Sequence, residues 1–266
     1  MSKPPSLAPP SLAPPNTAPP STAKPGKRVA LYGTGGIGKT SLATRAPGRI
    51  AFYDLDESLD ALEIPIAARP VSNWAELRAD IQSLRDVDTI VIDSVTRAEE
   101  WAVAHTIATV PHEKGYAVKR IEDYGFGKGF QHVFDTFLPL FADLDAQRRR
   151  GVNIVLVLHE CMSQVPNPQG DDYIRYEPRL QNPTSGKASL RLRLKEWVDN
   201  LVFIGFDVDV RDNKARGSGT RTIYPVEMPH CMAKSRNMRD QLEYEDGSDE
   251  LWAHLKLNGA PVLAVE

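Results

Sequence analysis

A glycine-rich run at residues 33–41 has the composition and spacing needed to bind phosphate. Its letters are GTGGIGKTS, which fit the pattern G-x-x-x-x-G-K-[ST]. Glycines let the backbone curl so that its amides point at a phosphate, Lys39 can bridge the β- and γ-phosphates, and the Thr40 hydroxyl can ligate Mg²⁺. The run therefore predicts a binding site for ATP and Mg²⁺ formed by Gly33, Thr34, Gly35, Gly36, Ile37, Gly38, Lys39, Thr40 and Ser41.

Acidic residues at the ends of two apolar runs could complete this site. Asp93 ends the run TIVID, where its carboxylate could hold Mg²⁺ through water. Asp56 and Glu57 follow the run IAFYDL, at the end of a second predicted strand. An exposed acidic turn is the alternative interpretation of this pair.

The segments that must position these residues alternate between strands and helices. Four apolar runs beginning near Lys27, Ile50, Asp88 and Asn153 are typical of buried parallel strands. Helices are predicted at 39–46, at 73–84 and across an aromatic-rich stretch that ends at Gly151, with a kink at Pro139. Later segments predict a short helix through Trp197, the strands LVFIGF, TRTIYPV and HCMAK, and a last helix at 250–255. The fold class is therefore α/β, a doubly wound and mostly parallel sheet with extra strands at one edge.

The N-terminal segment differs from the rest of the chain. Residues 4–23 are four five-residue units, PPSLA, PPSLA, PPNTA and PPSTA, with few backbone donors and little apolar surface to bury. The sequence predicts a disordered Pro-rich tail over residues 1–26 and one ATPase domain over residues 27–266. A docking motif for a proline-binding groove is the alternative to a solvated spacer.

Composition limits the possible settings and partners. With 32 basic and 35 acidic residues, the overall charge gives no reason for nonspecific attraction to nucleic acid, so any such contact must be a local patch. Two cysteines, Cys161 and Cys231, argue against a disulfide framework and for a reducing compartment. Because no apolar run approaches the ~20 residues of a membrane span, we expect a cytoplasmic protein with no membrane partner.

The motifs follow the order found in RecA-type recombinases. The stretch AFYDLDESLD resembles their second-strand region, and VDTIVIDSVT resembles their Mg²⁺-binding strand. The opening LYGTGGIGKT, the strand end LHE and the late AKSR narrow the resemblance to the phage RecA-like single-strand annealing ATPases, over most of residues 27–240. This resemblance implies a RecA-like P-loop fold and ATP-dependent work on single-stranded DNA in phage recombination, in the cytoplasm of the host cell.

The resemblance also implies roles for particular residues. The catalytic glutamate of RecA-type enzymes corresponds to Asp56, with Glu57 next to it, so the identity of the base stays open. His159 corresponds to a polar residue that senses the γ-phosphate and moves a DNA-facing loop. Lys234 and Arg236 resemble the paired cations that one subunit inserts into its neighbour's ATP site, which implies a homo-oligomer, either a ring or a filament. A single-strand binding protein is a further expected partner.

Two segments are candidates for contacting DNA. One is the loop from Cys161 to Lys187, which contains Arg175, Tyr176 and Arg179, and the other is YGFGKGF around Lys128. Cations can follow phosphates and aromatic rings can stack on bases. A plain surface hairpin is the alternative for the first segment, and packing by Tyr124, Phe126 and Phe130 at the start of a helix is the alternative for the second.

Three classes of function fit these observations. The first is an ATPase that anneals or exchanges single-stranded DNA. The second is a ring-forming motor, such as a DnaB-like helicase or a packaging ATPase. The third is a clamp or adaptor that binds ATP without hydrolysing it, for which Asp56 in place of a glutamate is an argument.

Overall fold

The computed structural model describes residues 24–62, 64–184, 187–211 and 214–262. Its nine strands form one sheet with the order β2-β3-β4-β1-β6-β7-β9, while β5 pairs with β4 and β8 pairs with β6. The strands are β1 Arg28–Gly33, β2 Ile50–Asp54, β3 Thr89–Asp93, β4 Asn153–Val165, β5 Tyr173–Pro178, β6 Asn200–Arg211, β7 Lys214–Tyr224, β8 Lys234–Ser235 and β9 Leu242–Glu243. The helices are α1 Lys39–Ala43, α2 Leu59–Leu62, α3 Trp74–Ser83, α4 Val95–Thr109, α5 Lys128–Arg149, α6 Leu190–Trp197 and α7 Glu250–His254, and a 3-10 turn covers Ile121–Tyr124.

Five parallel strands form the centre of this sheet. β2, β3, β4, β1 and β6 all run in the same direction, and β7 and β9 extend the β6 edge in antiparallel pairing. All five residues of β3 are buried, as expected for a strand covered on both faces. The predicted fold class, a doubly wound and mostly parallel sheet with strands added at one edge, is confirmed.

Separate hydrophobic cores lie on the two faces of the sheet. On one face α3, α4 and α5 pack together, and the rings of Trp74 and Phe137 lie 5.2 Å apart. On the other face α1 and α7 contribute Leu42 and Trp252, both fully buried. Because alternate residues of each strand point to opposite faces, the continuous apolar runs in the sequence supply both cores.

Helix boundaries follow short-range signals. The Asn73 side chain accepts a hydrogen bond from the Glu76 amide over 3.0 Å, and the Glu76 carboxylate reaches back to the amide of Ser72, not to that of Asn73. Helix α5 contains Pro139 and ends at Arg149, and Gly151 follows with a φ of 98°. Among the described helices, none has both the length and the apolar character needed to cross a membrane.

Two segments illustrate where the structure differs from the sequence prediction. Helix α4 was not predicted, although the buried positions Val95, Ala98, Ala102 and Thr106 recur at helical spacing and Ser94 caps the first turn. The segment HCMAK was predicted as a strand, but only Lys234–Ser235 joins the sheet, and Cys231 makes isolated bridges. The predicted tail at 1–26 lies almost wholly outside the described residues and stays a prediction.

The first and last described segments meet at the amino edge of the parallel strands. The Asn258 side-chain amide donates to the carbonyl oxygens of Lys24, over 3.0 Å, and Gly151, over 2.9 Å. The Asn153 side chain, at the start of β4, accepts from the backbone amides of Lys27 and Asn258. These amide side chains join residues from distant parts of the chain into one hydrogen-bonded cluster.

Candidate nucleotide site

The predicted phosphate loop connects β1 to α1 at the carboxyl edge of the sheet. Gly36 and Gly38 have φ values of 76° and 101°, which glycine adopts far more readily than residues with a side chain. A Cβ atom at Gly38 would also lie only 2.9 Å from the ring of Tyr244. The loop conformation therefore depends on glycine, in agreement with the sequence pattern.

Lys39 is buried within this loop. Its ammonium donates to the carbonyl oxygens of Gly33, over 2.7 Å, and Thr34, over 2.8 Å. Burial lowers the pKa of Lys39, while the acidic groups of Glu160, Asp93 and Asp56 oppose that effect. The ammonium is therefore held at the loop that the sequence pattern assigns to phosphate.

Thr40 and Asp93 form the pair that the sequence predicts as Mg²⁺ ligands. The Thr40 hydroxyl donates to Asp93 Oδ2 over 2.6 Å, and Asp93 is only 4% exposed. Burial raises the pKa of Asp93 to about 6, with the bond from Thr40 opposing the rise and the charge of Asp56 adding to it. Hydroxyl and carboxylate oxygens are ligands that suit Mg²⁺, so these residues fit the ion. When bound there, Mg²⁺ would neutralise phosphate charge.

Asp56 and His159 come together at the same edge. His159 Nε2 lies 3.1 Å from Asp56 Oδ2, and His159 lies beside Gly33 in the pairing of β4 with β1. Burial opposes ionisation of Asp56, but hydrogen bonds from His159 and Ser94 outweigh it and lower its pKa. The side chain therefore stays ionised, and its lowered pKa makes it a weak base.

The loop after β2 determines which acidic residue reaches the site. Asp54 accepts hydrogen bonds from the amides of Ser58 and Leu59, over 3.0 and 2.8 Å, and so holds the turn that carries Asp56. Glu57 is exposed with a φ of 54°. Of these two adjacent carboxylates, only that of Asp56 is among the described residues that line the cavity.

A cavity of about 490 Å³ connects these groups. Its walls come from the phosphate loop, from the segment after β2, from the ends of β3 and β4, and from β7 with the residues beyond β9. The lining residues are Gly35, Gly36, Gly38, Lys39, Thr40, Ser41, Asp56, Ser58, Ala61, Leu62, Asp93, Ser94, Val157, Leu158, His159, Arg221 and Asp246. Ligands of open parallel sheets bind at this edge, which makes the cavity the candidate nucleotide site.

Sequence reasoning missed the contribution of the C-terminal strands. Arg221 on β7 donates to the carbonyl oxygen of Ile37 over 3.2 Å. The Tyr244 hydroxyl donates to the carbonyl oxygen of Gly38 over 2.9 Å. The sequence run TRTIYPV indicates only a strand. Nothing in it shows that antiparallel extension of the sheet carries Arg221 to the phosphate loop.

The structure places Lys234 and Arg236 away from this cavity. Strand β8 pairs with the first residues of β6, at the amino edge of the parallel strands. The Lys234 ammonium donates to the carbonyl oxygens of Lys195 and Val198, both over 2.8 Å, and so caps the end of α6. Arg236 is largely exposed, 4.0 Å from Asp199. Neither cation reaches the site of its own chain, and action on a neighbour's site stays a prediction.

The predicted DNA-facing loop is the hairpin formed by the outer part of β4 and β5. Arg175 is held in ion pairs with Glu177 and Glu227, and the Tyr176 ring stacks on Phe203 at 5.1 Å, so both side chains serve internal packing. Arg179 and Lys187 are exposed.

In the second predicted DNA segment, around Lys128, some side chains also make contacts within the fold. Lys128 pairs with Glu113 at 2.7 Å, and Tyr124 is buried, as the packing alternative expected. Phe126, in contrast, is fully exposed, so its assignment to packing was wrong. It lies between two glycines with positive φ, in a turn that points its ring outward.

The strand order, the phosphate loop and the Thr40–Asp93 pair define a P-loop nucleotide-binding ATPase. A family model described as AAA domain matches residues 25–237, and the chain belongs to this family. One similar solved structure is the KaiC-like protein PH0186 from the archaeon Pyrococcus horikoshii OT3, with 14% identity and a TM-score of 0.44 over 85% of this chain and 89% of that one. No curated protein matched the sequence.

Proposed function

We propose that this protein is a Mg²⁺-dependent ATPase that acts on single-stranded DNA in phage recombination, by annealing or strand exchange. The observation that carries the proposal is the contact between Asp56 and His159. It joins a candidate catalytic carboxylate to the residue at the base of the β4–β5 hairpin. Nucleotide and DNA would thus act on the same pair of side chains.

Hydrolysis would use the residues that line the cavity. Lys39 would bind the β- and γ-phosphates, and Thr40 and Asp93 would hold Mg²⁺. Asp56 would orient the attacking water and accept its proton. Since the pKa of Asp56 is lowered, it is a weak base and we expect slow turnover.

Coupling to DNA would pass through His159. Its amide donates to the Thr96 hydroxyl oxygen over 3.2 Å, and its carbonyl oxygen accepts from the amide of Arg179 over 2.9 Å. A γ-phosphate that draws the imidazole from Asp56 would therefore move the backbone at both strands of the hairpin. Such a shift requires that the nucleotide bind more tightly when the imidazole is away from Asp56 than when it contacts Asp56.

The hairpin presents a surface that suits unpaired bases. Met162 and Ile174 lie on one face of it and are 72% and 67% exposed. Arg179, whose amide contacts the base of the hairpin, and Lys187 are exposed. Apolar side chains can contact base faces and cations can follow the backbone, a combination that binds single strands without sequence preference.

An oligomer would supply the remaining cation in trans. Arg236 is largely exposed and available to a neighbouring subunit, and a cation of this kind contributes about 10³- to 10⁵-fold in rate. We expect Arg236→Gln and Lys39→Ala each to be inactive alone. If the cation acts in trans, mixing the two proteins restores part of the ATP hydrolysis. No recovery in mixed oligomers would contradict a trans role.

One observation favours a second candidate, an ATP-dependent clamp or adaptor that hardly hydrolyses. Asp56 is shorter than a glutamate, and its carboxylate is held by His159 and Ser94. If those bonds persist with nucleotide bound, the carboxylate does not reach the attacking water. ATP would then act as a binding switch.

The deciding experiment measures ATP hydrolysis with and without single-stranded DNA, at low and moderate salt. Lys39→Ala serves as the inactive control. The double variant Met162→Ser/Ile174→Ser should lose DNA stimulation but keep basal hydrolysis, whereas Leu192→Ser, at another exposed apolar position, should keep both. If ATP binds but is not hydrolysed, and no DNA stimulates hydrolysis, the clamp is favoured. Stimulation by duplex with strand displacement would favour the ring-forming motor.

A further inference from the structure

Residues of the C-terminal strands contact two adjacent carbonyl groups of the phosphate loop. Arg221 donates to the Ile37 carbonyl oxygen over 3.2 Å, and the Tyr244 hydroxyl donates to the Gly38 carbonyl oxygen over 2.9 Å. These two residues also support each other, since the Arg221 guanidinium lies 4.7 Å from the centre of the Tyr244 ring. The Tyr244 amide donates to the Arg221 carbonyl oxygen over 2.7 Å, next to the β7–β9 pairing.

Because the peptide bond is planar, a contact that fixes a carbonyl group also fixes the direction of the following N–H group. In a trans peptide unit the carbonyl oxygen and the following N–H point in opposite directions. The contacts with Arg221 and Tyr244, together with the bond from the Leu42 amide to the Gly38 carbonyl oxygen, therefore aim the N–H groups of Gly38 and Lys39 the other way. Both Gly38 and Lys39 line the cavity. Phosphate recognition in such loops depends on successive amides that converge on one anion.

Two features show that this contact is built into the fold. Arg221 has a side chain that is only 14% exposed and pairs with Asp246 at 2.9 Å, so its position is constrained from both sides. Gly38 leaves room for Tyr244, because a Cβ atom there would lie 2.9 Å from the tyrosine ring and 3.2 Å from the Arg221 guanidinium. Burial raises the pKa of Tyr244, which keeps its hydroxyl protonated as a donor.

We propose that Arg221 and Tyr244 are positioning residues that preorganise the phosphate loop for the β-phosphate of the nucleotide. This inference deepens, and rests on, the nucleotide binding described above. It predicts an equal effect on ADP and ATP, because both carry the β-phosphate. A contact with the γ-phosphate would affect ATP alone.

The test is calorimetric measurement of Kd for Mg-ADP and for a non-hydrolysable Mg-ATP analogue. Tyr244→Phe, which removes only the hydroxyl group, should weaken both ligands about threefold to tenfold. Arg221→Gln should weaken both about tenfold to a hundredfold. The matched controls are Tyr116→Phe and Arg239→Gln, which make the same chemical changes at exposed positions outside the cavity and should bind like the wild type.

The possible outcomes are distinct. Equal losses for both nucleotides, with an unchanged thermal midpoint for Tyr244→Phe, support the positioning role. Unchanged affinity in both variants overturns it, as does a loss confined to the ATP analogue. If Arg221→Gln does not fold, Tyr244→Phe alone decides. If the wild type binds neither nucleotide, the nucleotide site itself fails and the positioning role falls with it.

Discussion

The two edges of the parallel strands both carry clusters of charged residues, but the clusters are organised differently. At the carboxyl edge Lys39, Asp93 and Asp56 line one cavity. At the amino edge the charges bind each other: Arg28 pairs with Asp145 at 3.1 Å and with Asp199 at 3.4 Å, and Asp199 is only 8% exposed on its side chain.

This contrast shows that the number of charged residues does not identify a functional site. A buried charge is costly unless it is paired and hydrogen-bonded, and at the amino edge Asp199 finds that partner within the chain, in the backbone amide and guanidinium of Arg28. At the carboxyl edge burial raises the pKa of Asp93 to about 6, and the nearby charges of Asp56 and Asp54 add to the rise. An arrangement of that kind is stabilised by a bound cation, which is why it indicates a ligand site.

In the comparison of the two clusters, the largest expected effect concerns Asp56 at the carboxyl edge. Asp56→Asn should lower the rate of ATP hydrolysis about 10²- to 10⁴-fold by removing the base, while Kd for ATP changes little. Glu57→Gln is the matched control and should leave the rate unchanged, because Glu57 does not line the cavity among the described residues. Steady-state hydrolysis and nucleotide titration check both. A loss confined to the Glu57 variant would assign the base to Glu57.

An intermediate effect is expected for Asp199 at the amino edge. Burial opposes its ionisation, but hydrogen bonds from the backbone and side chain of Arg28 outweigh burial and lower its pKa. A lowered folded-state pKa stabilises the protein above the unfolded pKa, and this contribution is lost as pH falls through the folded value. Asp199→Asn should therefore cost about 1–3 kcal/mol at pH 7 and flatten the acid limb of the stability profile.

Urea unfolding between neutral and strongly acidic pH measures this effect. The rate of ATP hydrolysis per folded molecule should not change. A variant as stable as the wild type at pH 7, or one with impaired nucleotide binding, would show that the amino-edge cluster is not a purely structural counterpart of the site.

The smallest effect is expected for Lys234. Lys234→Met keeps most of the side-chain stem but loses the hydrogen bonds to the end of α6, so the free energy of unfolding should fall by about 1 kcal/mol. Thermal unfolding and hydrolysis assays on the same preparation would check this. Reduced hydrolysis with undiminished stability would instead support the predicted action of Lys234 on a neighbouring subunit.

Local sequence patterns predict the strands and most residues of the phosphate site. The contacts that they do not predict depend on turns or on pairing between distant segments. The phosphate loop, Asp93 and the buried strands follow from short motifs and from runs of apolar residues. The choice between Asp56 and Glu57 depends on a turn held by Asp54, which no spacing rule describes. Arg221 lies 184 positions from its partner Ile37, and only the antiparallel extension of the sheet brings them together.

The hydrogen bond between Asn258 and Lys24 makes this fold a candidate for circular permutation. Because these residues are already hydrogen-bonded, a shortened chain of residues 24–258 could be closed by a short linker with little entropy cost. New ends could then be opened in the exposed segment at 113–119, between α4 and the 3-10 turn. A circular permutant of this design would keep every described strand pairing, and its new ends would lie between α4 and the 3-10 turn.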